Sequence, residues 1–156
     1  REERLEILES EQPDSQFTNH NVTSKDYREY LSSLMNPDIS QTPIDVTHMA
    51  FGNDDTATDI SDRGLGNEVM RKEIDDHIDR GTEYVGTVLL GGNDGVSLDL
   101  NEAALVTTND ASNADDMAVN RVLLNDPEGR LSPKTSDYAV TVKIELDHLD
   151  DSEVGA

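Results

Sequence analysis

The sequence predicts a mainly β protein: an antiparallel β-sandwich preceded by an extended N-terminal arm and one short helix. Three observations carry that expectation. Short runs of Val, Leu and Ile alternate with polar residues at a period of two from Ile44 onward. Joints rich in Gly, Asn and Asp separate those runs. Helical spacing of apolar residues occurs in one brief stretch only, so sheet must supply the bulk of the fold.

Residues 1–43 read as an arm that docks elsewhere. Arg1 to Asn21 is polar and lacks sustained periodicity, with a short helical hint at Leu5, Ile7 and Leu8. From Thr23 the signals sharpen: Thr23 or Ser24 can cap a helix, Asp26 sits in its first turn, and Tyr27, Tyr30, Leu31 and Leu34 fall at helical spacing. Asn36 and Pro37 stop this helix, expected over about residues 25–35, and it is too short to hold without packing. Asn36 to Pro43 is an extended connection.

The sandwich domain spans residues 44–149. Its first strand has Ile44, Val46 and His48 on one face and Asp45, Thr47 and Met49 on the other, ending at Phe51 and Gly52. Tyr84 to Leu90 forms a second strand, and Asn93, Asp94 and Gly95 turn it into a third at Val96, Leu98 and Leu100. Ala118 to Leu124 gives another. In the last, Tyr138 to Leu146, residues Val140, Val142, Ile144 and Leu146 share one face while Thr141, Lys143 and Glu145 point out. Residues 150–156 read as a flexible acidic tail, and there is no internal repeat.

Charge bounds the function. The chain carries 34 Asp and Glu against 12 Lys and Arg, a formal net charge of −22 over 156 residues. Such a surface repels itself in dilute buffer, where charges act over roughly 10 Å at 0.1 M salt, and is relieved at 1 M, where they act over about 3 Å. The simplest reading is adaptation to a salt-saturated medium. A disordered acidic segment would lack the patterned Val, Leu and Ile runs, and nucleic-acid binding would need clustered Lys and Arg. No apolar stretch reaches the ~20 residues of a membrane-spanning helix and no signal-like apolar region opens the chain, so a soluble protein is expected. It opens on Arg1 rather than Met, which leaves room for trimming.

Chemistry-bearing motifs are few. Zero Cys removes disulfides, thiolate metal sites and a Cys nucleophile. His20, His48, His77 and His148 are scattered and form no ligand pair, so structural roles are expected. Asp54 with Asp55, and Asp115 with Asp116, are candidate contacts for structural Na, K, Mg or Ca, as is the Asp75–Asp76 loop. None has the spacing of a dedicated calcium loop, so solvated surface is the simpler expectation. Gly64 and Gly66 lack the Lys and helix of a phosphate loop, and carboxylates are too abundant to single out an acid–base pair. No catalytic residue or cofactor is expected. Asn21, Val22 and Thr23 form one glycosylation sequon.

Four blocks in order resemble a known family. Met49-Ala50-Phe51-Gly52-Asn53-Asp54-Asp55-Thr56-Ala57, then Leu65-Gly66-Asn67-Glu68-Val69 and Arg71, resemble an "ALGTGTT"-like loop running into "TALxNEVxR". Leu100 to Leu105 is similar to an "ITEAGLF" strand, Ala118, Asn120, Arg121 and Val122 to "ANRVV", and Lys134-Thr135-Ser136-Asp137 to "KTSDDxLTVTW". These belong to small tail-tip and fibre-associated structural proteins of tailed viruses, and the blocks cover about residues 44–147. The chain departs from the pattern in its acidic first loop, in Ala104 and in Lys143–Ile144. The resemblance implies a virion component that assembles with copies of itself and with other virion proteins, carries no catalytic residues, and has the host cell surface as a further candidate partner. Its place would be the tail tip, baseplate or fibre attachment, with a head-surface projection or a receptor- or glycan-binding module as the alternative. Expected interface residues are Tyr27, Tyr30, Leu31 and Leu34 on the helix, Gly52 and Asn53 at a subunit edge, and Glu102 with Arg121 or Arg71 as an ion pair inside a contact. Leu65 and Val69 are expected to plug the sandwich.

Overall fold

The computed structural model describes Asn19 and residues 21–147. The helical hint at Leu5, Ile7 and Leu8, most of the arm, the acidic tail, His20 and His148 lie outside them. The fold is mainly β, as expected: two antiparallel sheets with one short helix. β1 (Asn21–Thr23), β7 (Asn120–Leu123), β6 (Glu102–Val106), β2 (His48–Gly52) and β3 (Glu68–Glu73) form a five-stranded sheet in that order. β4 (Asp76–Asp79), β5 (Glu83–Leu90) and β8 (Val140–Asp147) form the second. Met49, Phe51 and Leu105 of the first sheet meet Val88, Leu90, Val142, Ile144 and Leu146 of the second in one core. The alternation expected for β8 holds: Val142, Ile144 and Leu146 are buried, while Glu145 and Asp147 are exposed.

The helix α1 (Lys25–Leu34) forms where the spacing places it. Ser24 Oγ accepts from Tyr27 N at 3.0 Å, Asp26 favours the positive end of the helix dipole, and no β-branched residue interrupts it. The preceding segment is not a free arm from residue 21 onward. Asn21, Val22 and Thr23 pair with Val122, Arg121 and Asn120, and Ser24 donates from N to Val119 O (2.8 Å) and from Oγ to Ala118 O (2.6 Å).

Three other expectations are corrected. β2 begins at His48, and both of its faces are covered: Met49 and Phe51 point into the main core, Ala50 into a second cluster with Ala104 and Val106. Period-two reasoning fails there because the loop that follows β2 lies over its outer face. The hairpin of Tyr84–Leu90 with Val96–Leu100 does not form. Left-handed backbone at Gly95 (φ 68°) and Ser97 (φ 70°) breaks the extension, and Leu100 N instead donates to Leu131 O at 2.8 Å. Finally, Asp75–Asp76 is not an acidic loop: Asp76 opens β4, whose residues pair with Tyr84 to Thr87.

Candidate functional site

The outer face of the five-stranded sheet holds a buried ionic frame. Glu102, first residue of β6, is fully buried. Its Oε1 accepts from Arg121 Nε (2.7 Å) and Gly66 N (2.8 Å), and its Oε2 from Asn67 N (2.9 Å) and Asp54 N (3.2 Å). Arg121, almost as deeply buried on β7, donates on to Thr56 O (2.9 Å) and Asp62 Oδ2 (3.1 Å). Burial disfavours the guanidinium charge, but the carboxylates of Glu102 and Asp62 outweigh it and hold Arg121 above its ordinary range. The frame therefore anchors the whole connection from Asn53 to Asn67. Asn53 closes that loop: it donates from N to Asn67 O (3.0 Å), and its Oδ1 accepts from Asn67 Nδ2 (2.8 Å).

This assigns the expected residues. The Glu102–Arg121 pair forms, but inside one chain under its own loop, not as a contact on the surface. Gly52 is buried as well, because a Cβ there would lie 2.3 Å from Glu102 Oε2 and 2.5 Å from Asn67 O. Gly52→Ala is expected to cost about 1–3 kcal/mol by overpacking, read as a lowered denaturant midpoint in high salt. Leu65 packs on the outer Ala50–Ala104–Val106 cluster, and Val69 packs on the main core.

Arg71 works elsewhere. Its Nη2 donates to Asp116 Oδ2 (2.7 Å), its Nε to Glu68 Oε2 (2.6 Å) and its Nη1 to Thr108 O (2.7 Å). Burial would raise the Asp116 carboxyl, but hydrogen bonds from Arg71 and Thr108 with the Arg71 charge hold it below the usual carboxylate range. As pH falls, the unfolded chain then takes up protons first, near 4, so this stability is full above that value and lost through the lower folded one. Asp116→Asn is expected to lose about 1–3 kcal/mol at pH 7 and to flatten the acid limb of a stability–pH curve.

The candidate cation residues do not converge. Asp54 accepts from Thr56 N at 2.8 Å and Asp116 is committed to Arg71, while Asp55 and Asp115 are exposed. Among the described residues no group of three or more His, Cys, Asp or Glu is placed to hold a metal. The sequon Asn21 donates from Nδ2 to Glu145 O (2.9 Å), linking the two sheets.

Two further features escaped the sequence. Lys134 is fully buried and donates to Gly91 O (2.8 Å) and Thr135 O (3.3 Å), clamping the turn after β5 to the segment before β8; burial pushes its ammonium down. At one end of the sandwich a pocket of about 520 Å³ is lined by Tyr27, Ile44, Val46, His77, Tyr84 and Leu146. His77 Nδ1 stands 2.7 Å from Tyr84 Oη, and burial with the nearby Asp76 charge pushes that phenol up to about 12.

Of the helix only Tyr27, in its first turn, is buried. Along its apolar stripe, exposure rises from 8% at Tyr27 to 37% at Leu31, 54% at Leu34 and 86% at Met35. Tyr30 Oη donates to Thr42 O at 3.0 Å, which ties the helix to its own connection. Compared with profiles of known families, with curated proteins and with solved structures, the chain matches none.

Proposed function

We propose that this chain is a structural protein of a tailed virus with a salt-loving host, building part of the tail tip, baseplate or fibre attachment by burying surface between subunits. The observation that carries this reading is the apolar stripe of α1, which leaves Leu31, Leu34 and Met35 exposed beside Ile39 on an otherwise acidic molecule. Its best-buried ionic groups, Glu102, Arg121 and Lys134, are engaged in holding loops. The blocks that resemble tail-tip proteins coincide with that scaffold: Gly52, Gly66, Asn67, Glu102 and Arg121 form one frame, and Lys134 is the buried clamp. These are positions at which a shared scaffold would constrain a sequence.

A receptor- or glycan-binding module is the second reading. The pocket at Tyr27, His77 and Tyr84 favours it, since aromatic faces beside a hydrogen-bonding tip suit sugars. Antibody raised against the chain and applied to virus particles purified at high salt tests the proposal. Label at the tail end of the particle is the expected result, and a protein absent from particles would overturn it. Glycan binding that is lost in Tyr84→Ala would favour the second reading.

A further inference from the structure

The connection that leaves α1 departs from the rest of the surface. Between Leu31 and Ile44 the only charged residue is Asp38, although nearly the whole stretch is exposed. Among the described residues, the other charge-free runs of six or more, Tyr84 to Asn93, Val46 to Asn53 and Ala103 to Asn109, each contain a buried strand. Here they coincide with Leu31, Leu34, Met35 and Ile39, all exposed. The flanking charges are partly balanced within the chain: Arg63 pairs with both Asp26 and Glu29, while Arg28 donates to Ile60 O. Ile60, itself exposed, extends the apolar area beside the helix.

We infer that this face binds the same face of a second copy, with the C-terminal turns of two α1 helices meeting across a two-fold axis near Leu34. The inference rests on the assembly reading above and names its partner and symmetry. A partner selected by its positive charge would need carboxylates, of which the stretch from Leu31 to Ile44 offers only Asp38. Two copies carrying 22 net negative charges each can approach most closely through a patch with almost none. A self-complementary patch closes at two subunits, whereas a head-to-tail contact would need a second, different surface. Across that axis Leu34 meets its own counterpart, and the exposed Leu31 and Met35 of each copy flank the contact.

Because the chain has no cysteine, one introduced thiol reports on its own copy alone. The test is light scattering of the full chain in roughly 3 M KCl, where charge repulsion is screened, with Leu34→Asp, Leu34→Cys and Val96→Cys as variants. The expected result is a dimer that Leu34→Asp converts to monomer, with a disulfide-linked dimer from Leu34→Cys and none from Val96→Cys, an exposed position on the turn after β5. Leu34 is exposed, so these variants leave the core intact, and circular dichroism matching the parent verifies it. A monomeric parent overturns the inference. A dimer untouched by Leu34→Asp and not linked by Leu34→Cys also overturns it while leaving assembly through another surface standing. A closed ring of three or more copies that Leu34→Asp breaks would overturn the two-fold symmetry.

Discussion

Replacing Arg121 by Leu is expected to lower the unfolding free energy by about 3–5 kcal/mol, among the largest losses a single substitution could cause here. The reason is what stays behind. Glu102 remains fully buried with its guanidinium partner gone, Thr56 O loses its Arg121 donor, and Asp62 loses one of its donors. Because the pair is shielded from solvent, molar salt should not rescue the variant, unlike variants of surface pairs such as Arg63–Asp26. Glu102→Gln separates two contributions: it keeps an acceptor for the loop amides but removes the charge, so a smaller loss is expected. The double variant Glu102→Leu/Arg121→Leu should not return to parent stability. Buried ion pairs can often be exchanged for apolar residues, but Glu102 also accepts from Gly66, Asn67 and Asp54 amides, and those donors would be left unmet. Denaturant midpoints of the four proteins, measured at fixed high salt, check this order of losses.

Transfer from 3 M to 0.1 M KCl is expected to cost the parent more than about 3 kcal/mol, on the order of 10 °C in melting temperature for a chain of this length. A net charge of −22 held on a compact surface is favourable only when screened. NaCl and KCl should act alike at equal ionic strength, since the acidic loops do not converge on a cation among the described residues. Full stability in dilute buffer would sink the halophilic reading. Millimolar Mg²⁺ or Ca²⁺ replacing molar KCl would point to a specific cation site instead.

The elements legible in the sequence are those in which one face is dry and the other wet. β8 shows its alternation openly, and α1 shows its cap and its stripe. Where both faces are buried, as in β2 and β6, no alternation exists to be read; the covering loop from Asn53 to Asn67 is a tertiary fact. β3 and β4 are hidden for another reason: charged residues fill most of Glu68–Glu73, and carboxylates begin and end Asp76–Asp79, so both look like loops. The Glu102–Arg121 pair was visible as a pairing of charges but not as an interior one, since nothing in the sequence says that a loop will close over it. Gly52, expected at a subunit edge, is instead the position that leaves room for the Glu102 carboxylate. Lys134 resembled any surface lysine in an acidic chain until the segments around it closed over its stem.

Strand β1 joins β7 across about a hundred residues of chain, Asn21 opposite Val122, and the cap of α1 is fastened to Ala118 and Val119. On a ribosome the helix is therefore synthesised well before it can be seated, about a hundred residues ahead of β7. Long-range closure of this kind slows folding, but it also sets an order of events: a nascent or truncated chain has nowhere to moor Tyr27. The surface that would recruit another subunit is thus offered in its final orientation only by a finished protomer, which makes completion of the sheet a checkpoint on entry into an assembly.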